Sequence, residues 1–117
     1  MKIGVMVLEG PYQHQAADSA YNFVKAALAR GHEIVGIFLF ADGVHNANQF
    51  INPPGERNIA RRFDEFGKQG IEVTACTACA KYRGLMPNIK SEHVRLSGLG
   101  SLADYLQKAD RLVTFGD

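Results

Sequence analysis

Lys2-Ile3-Gly4-Val5-Met6-Val7-Leu8 and Glu33-Ile34-Val35-Gly36-Ile37-Phe38-Leu39-Phe40 decide the fold. Both runs are almost wholly apolar and lack period-two alternation, as strands buried on both faces of a parallel sheet do. Between them Ala16, Ala17, Ala20, Phe23, Val24, Ala27 and Leu28 recur at helical spacing up to Arg30, and Gly31 supplies a left-handed C-terminal cap. Strand, helix and strand within about forty residues form a βαβ unit with a right-handed crossover. The first strand is expected in a central position of the sheet.

Working outward, residues 41–54 are polar, hold Gly43, Asn46, Asn48, Asn52 and the pair Pro53-Pro54, and show no periodicity, so they read as a long loop. Ile59, Phe63 and Phe66 mark the inner face of a helix over residues 56–68, stopped by Gly70. Residues 71–75 form a third strand, 77–83 a short helical segment, 93–96 a weaker strand, 99–109 a helix and 112–115 a last strand. The alternation predicts a three-layer α/β/α sandwich with a five-stranded, mostly parallel sheet. With 117 residues, the chain is sized for one domain over 1–117.

Composition narrows the function classes. Hydrophobic residues make up 46% and charged residues 21%, ordinary values for a globular chain. Lys plus Arg number 13 and Asp plus Glu 12, a net +1 that offers no basic footprint for direct binding of nucleic acid or of an anionic membrane surface. The first apolar run is too short for a membrane span and is followed by no cleavage site, so a cytoplasmic location is expected. Reducing conditions there keep Cys76 and Cys79 as thiols.

In open α/β sheets, reactive groups collect beyond the carboxyl ends of the strands. Residues 10–15, 42–49 and 76–79 are expected to meet there. Cys76 directly follows the third strand, at or before the first turn of a helical segment. A thiolate at that place faces unpaired backbone N–H groups, with Lys81 and Arg83 adding positive charge, so its pKa is expected to fall and its side chain to be reachable from the rim. From position alone, a reactive thiol and a small hydrophobe at a strand end both fit Cys76. Cys79 completes a Cys-x-x-Cys spacing, the pattern of a dithiol redox motif.

Other constellations point to less. There is no second Cys-x-x-Cys, and His14, His32, His45 and His93 lack paired spacing, so no zinc site is expected. Ser97-Gly98-Leu99-Gly100-Ser101 reads as a strand-to-helix turn with Ser97 or Ser101 as cap. His14 and His45 read as exposed rim histidines able to shift protons near a thiol. Asn46, Asn48 and Gln49 read first as organisers of their own loop.

Several segments together resemble the DsrE/TusD family of sulfur-relay proteins. They are the opening strand with Gly10-Pro11-Tyr12, the helix start 15–20, the run Gly43-Val44-His45-Asn46-Ala47-Asn48-Gln49, Cys76 eight residues before Gly84, and Leu96-Ser97-Gly98-Leu99-Gly100. The resemblance covers almost the whole chain. It implies a five-stranded parallel α/β/α fold and a sulfurtransferase whose cysteine, matched by Cys76, carries sulfane sulfur as a persulfide to a cysteine of a downstream acceptor protein. It further implies assembly with paralogous DsrE-like subunits into a homo- or hetero-hexamer, and an output in tRNA 2-thiolation or dissimilatory sulfur oxidation. No metal or organic cofactor is called for. The loops 10–14 and 42–49 are expected to wall the site, with Gly10, Tyr12, His14, Asn46, Asn48, Gln49 and Arg83 lining it. Cys79 stands where the family usually has a small residue, and as a resolving thiol it would discharge a persulfide through an internal disulfide. A dithiol redox protein and a non-catalytic assembly subunit are the competing readings.

Overall fold

The computed structural model describes residues 1–116. Its sheet has the strand order β4-β3-β2-β1-β5, from β1 (Lys2–Val7), β2 (Glu33–Leu39), β3 (Val73–Cys76), β4 (Arg95–Ser97) and β5 (Arg111–Phe115). All four pairings are parallel. β1 is interior, held between β2 and β5, while β2 takes the middle place.

Side chains alternate across each strand, so the two faces differ in composition. Ile3, Val5, Val7, Ile37, Leu39, Val73 and Ala75 are buried along one face. Against it lie α1 (Ala16–Ala29) and α2 (Ile59–Lys68), joined by Tyr21 on Phe66 with ring centroids 5.3 Å apart and anchored to β5 by Phe23 on Phe115. The opposite face takes α4 (Leu99–Lys108), whose Tyr105 lies flat against the sheet. A Cβ at Gly36 would stand 2.4 Å from that ring, so only glycine admits it. The buried hydroxyl is satisfied by Thr74 Oγ1 at 2.6 Å, as a tyrosine sealed in a core requires. The three layers and the five parallel strands are those the sequence predicts.

Three local expectations change. Residues 41–54 are not loop throughout, because Ala41–Ala47 wind into a 3₁₀ helix with Val44 and Ala47 buried three residues apart. A three-residue repeat leaves no helical or strand periodicity to read. The helix expected from residue 56 starts at Ile59, where Asn58 caps it by accepting from Arg61 N–H at 2.9 Å. Neither Ser97 nor Ser101 caps α4, since Gly98 holds that position and Ser101 Oγ donates to Ser97 Oγ at 2.8 Å instead. Among the described residues, no helix is long and apolar enough to cross a membrane.

Candidate functional site

β3 delivers Cys76 to the carboxyl edge of the sheet in an extended conformation, and α3 (Thr77–Tyr82) starts on the next residue. Cys76 is therefore the N-cap, and its Sγ accepts from the backbone N–H of Cys79 at 3.4 Å. The same three-residue offset places Cys79 at the third position of the helix that Cys76 caps. Cys79 Sγ in turn accepts from Ala41 N–H at 3.3 Å. Sulfur accepts weakly, so these contacts orient the thiols without locking them.

Arg83 closes the arrangement. Its Nε donates to Asp42 Oδ1 at 2.7 Å and its Nη1 to the Cys79 carbonyl at 3.0 Å, tying the end of α3 to the 3₁₀ segment. Gly43 allows that segment to lie on β1, because a Cβ there would come within 2.0 Å of the Val7 carbonyl oxygen. Ala41 has φ +53, a left-handed conformation uncommon for alanine, and it aims its N–H at Cys79.

The expectation of a thiol open on the rim is corrected here. Cys76 is 2% exposed and Cys79 8%. The reason lies in the N-cap geometry, which turns the sulfur inward to the amide three residues on, where the 3₁₀ segment and α3 pack together. Burial is also the first cause that pushes the Cys79 thiol above its ordinary pKa, and the hydrogen bond with Cys76 adds to it. The Ala41 N–H and the Arg83 charge pull the other way.

The expected wall of the site divides. Of the residues expected to line it, Arg83 stands beside the thiols. Gly10 packs close to the Asp42 carbonyl and His45 of the 3₁₀ segment. Tyr12 turns away to α2: its hydroxyl donates to the Arg57 carbonyl at 2.7 Å and accepts from Ile59 N–H at 3.1 Å. His14 is exposed and pairs with Glu9 at 3.1 Å. Asn46, fully buried, donates to the Glu9 and Gly43 carbonyls and so holds the two loops together. Asn48 Oδ1 accepts from Phe50 N–H, and Gln49 Nε2 donates to the Asn88 carbonyl. These last three stabilise backbone, as their residue types suggest. Sequence reasoning missed Ala41 as a neighbour of the thiols, and it placed Asp42 in a walling loop without its bond to Arg83. Nothing in Ala41 signals a left-handed turn, and Asp42 reads as one more loop carboxylate.

A second polar cluster lies at the start of α1. Asp18, almost buried, accepts from Arg57 Nε at 2.8 Å and Nη2 at 2.7 Å, and Arg62 Nη1 approaches it at 3.4 Å. The Arg57 hydrogen bonds hold the Asp18 carboxyl below its ordinary pKa.

Comparison with known proteins follows the same outline. The model of the DsrE/DsrF-like family matches residues 1–115. The chain is 42% identical to the DsrE sulfurtransferase of Allochromatium vinosum, with 100% of both chains covered. It is 35% identical to sulfurtransferase TusD of an Enterobacter species, covering 98% of this chain and 100% of that one. Among solved structures, the ychN protein of E. coli superposes with a TM-score of 0.86 at 23% identity over 98% of this chain and 100% of its own, a likeness of fold.

Proposed function

Because this chain belongs to the DsrE/DsrF-like family, we propose that it carries sulfane sulfur as a persulfide on Cys76 and passes it to a cysteine of an acceptor protein. A sulfur-relay role is what the names of its relatives support. The observation that carries the finer reading is the placement of Cys76: at the carboxyl end of β3, with the N–H of Cys79 donating to its sulfur. That contact orients Sγ at the sheet edge, and the thiolate is the form in which a thiol attacks and departs.

Two displacements make the cycle. The Cys76 thiolate attacks the donor's outer sulfur, forming Cys76–S–SH while the donor's remainder leaves with the electron pair. An acceptor thiolate then attacks the outer sulfur, and Cys76 departs as thiolate. Neither step needs a metal or an organic cofactor.

Burial sets the timing. α3 has six residues, and after it Gly84 takes φ +66 and Met86 stands exposed. Opening α3 is a local event of low free energy compared with global unfolding, and it uncovers both thiols. Alkylation of the native thiols is expected to run about 30-fold slower than in the unfolded chain, equivalent to roughly 2 kcal/mol of opening. Native thiols that react as fast as unfolded ones would remove the gate from the reading.

Assembly with paralogous DsrE-like subunits, as a homo- or hetero-hexamer in the cytoplasm, belongs to the same proposal. Tyr82 at 89% exposure, with Met86 and Leu99 also exposed, offers apolar surface for such neighbours or for the acceptor. The branch, tRNA thiolation or sulfur oxidation, follows from the acceptor.

The test is loading with a persulfide donor and mapping mass by peptide. The expected result is one added sulfur on the peptide that contains Cys76, and its loss in Cys76→Ser. Retention of that sulfur by Cys76→Ser overturns the assignment.

A further inference from the structure

A single carrier thiol does not account for Cys79. It stands three residues after Cys76, in the first turn of the helix that Cys76 caps. Its backbone N–H points at Cys76 Sγ. Positions three apart at a helix start place their Cβ atoms roughly 5 Å apart, within the span a disulfide closes after a small rotation. Both thiols are also buried, so a persulfide formed on Cys76 has Cys79 as its resident neighbour.

We propose that Cys79 is a resolving thiol that ends an unclaimed persulfide, converting the carried sulfur to hydrosulfide and the pair to a disulfide. This rests on the reading of Cys76 as the persulfide carrier. In the step, the Cys79 thiolate, its proton given to water, attacks Sγ of Cys76. The bond between that Sγ and the outer sulfur breaks, its electron pair leaves with the outer sulfur, and the product is HS⁻. The outer sulfur is reduced to sulfide as Cys79 is oxidised, and Cys76 keeps its oxidation level in the Cys76–Cys79 disulfide. A dithiol reductant then restores the pair by ordinary exchange. The chain thereby acquires a second activity, persulfide discharge.

The surroundings make discharge slow, as a carrier requires. Burial holds Cys79 as a thiol at neutral pH. From β3 it faces the Cys76 side chain. From α3 the charge of Arg83 acts on it, and from the 3₁₀ segment come the Ala41 N–H and Asp42, the latter paired with Arg83. Within this setting the thiolate fraction, and with it the discharge rate, climbs about tenfold per pH unit until the thiol's raised pKa is reached.

The experiment loads the full chain with less than one equivalent of inorganic polysulfide, removes the donor without oxygen, and follows two signals with no acceptor present. One is the tryptic peptide spanning 69–81, which contains both cysteines. The other is hydrosulfide in solution. In the wild type that peptide is expected to pass from one sulfur heavier to two hydrogens lighter, with an equal amount of hydrosulfide, faster at higher pH. In Cys79→Ser the added sulfur is expected to persist about tenfold longer or more, with a flat pH dependence. Cys79→Ala, which adds no polar atom, repeats the measurement should the serine variant fail to fold. Equal lifetimes in wild type and variants, or a wild type that loses sulfur and returns to the dithiol, overturn discharge while leaving the carrier reading intact. A wild type that takes up no sulfur overturns the carrier reading, and discharge with it.

Discussion

The Cys76 corner and the Asp18 corner lie on the same edge of the sheet, each where a strand hands over to a helix, and they are built from opposite materials. Around Asp18, charged groups meet at 2.7 to 2.8 Å and a tyrosine hydroxyl binds backbone on both sides. Around Cys76, sulfur accepts single N–H groups at 3.3 and 3.4 Å. Charge-assisted bonds of the first kind contribute about twice what neutral ones do, and those to sulfur contribute less still. One corner fixes loops. The other keeps two nucleophiles aligned and easy to release, which a group that must form and break bonds needs.

The strongest way to break this contrast is to displace the 3₁₀ segment that supports the thiols. Gly43→Ala would drive a Cβ into the Val7 carbonyl, so the 3₁₀ segment must lift from β1 and carry Ala41 away from Cys79. The expected cost is about 3 kcal/mol, seen as a fall of roughly 10 °C or more in Tm, together with faster alkylation of both thiols. Unchanged alkylation in a destabilised variant would mean that the 3₁₀ segment does not shield them.

Asp18→Asn tests the charged corner alone. It leaves the guanidinium of Arg57 without its carboxylate, but Arg57 is 36% exposed on its side chain and water recovers part of the loss. The expected destabilisation is about 2 kcal/mol, below the roughly 3–5 kcal/mol of a fully buried pair. The pH dependence has a definite sign. A carboxyl whose folded pKa is depressed contributes stability that is fully present above its unfolded value, near 3.8, and is lost as pH falls through the lower folded one. Wild type should therefore lose stability below about pH 4 more steeply than the variant, as urea titrations at several pH values would measure. Parallel pH profiles would remove the ion pair from the account.

How much of this was legible in the sequence depends on the range of the interaction. The strands read through their apolar runs, because burial on both faces leaves no polar residue in 34–39, and the end of α1 read through Gly31, which takes φ +83. The pairing of Cys76 with Cys79 is local, three residues apart, and could be read as spacing. The Asp18–Arg57 contact joins residues 39 apart through a loop whose path no periodicity sets. Tyr12 read as a wall of the thiol site because it follows β1, yet its left-handed φ of 66 swings it toward α2. The burial of Cys76 was invisible for a different reason: a cap residue's side chain can face solvent or its own helix, and residue order does not distinguish the two.

Tyr12→Phe sharpens the comparison with the smallest change. Its hydroxyl donates to Arg57 and accepts from Ile59, the first residue of α2, so one oxygen joins the β1 loop to the helix start. Phenylalanine keeps the ring, which stands 5.8 Å from the Arg57 guanidinium, and removes only the oxygen. The loss is expected to be about 1 kcal/mol, since water reaches a tyrosine that is 40% exposed and replaces part of each bond. Urea unfolding should show a lower midpoint at an unchanged m-value. Combined with Asp18→Asn, the effect should fall short of the sum, because both substitutions loosen Arg57. Sulfur loading on Cys76 and its loss through Cys79 should keep wild-type rates, as no bond of Tyr12 reaches the thiols. Altered persulfide lifetime in Tyr12→Phe would show that the two corners act as one site, and the division drawn between them would have to be abandoned.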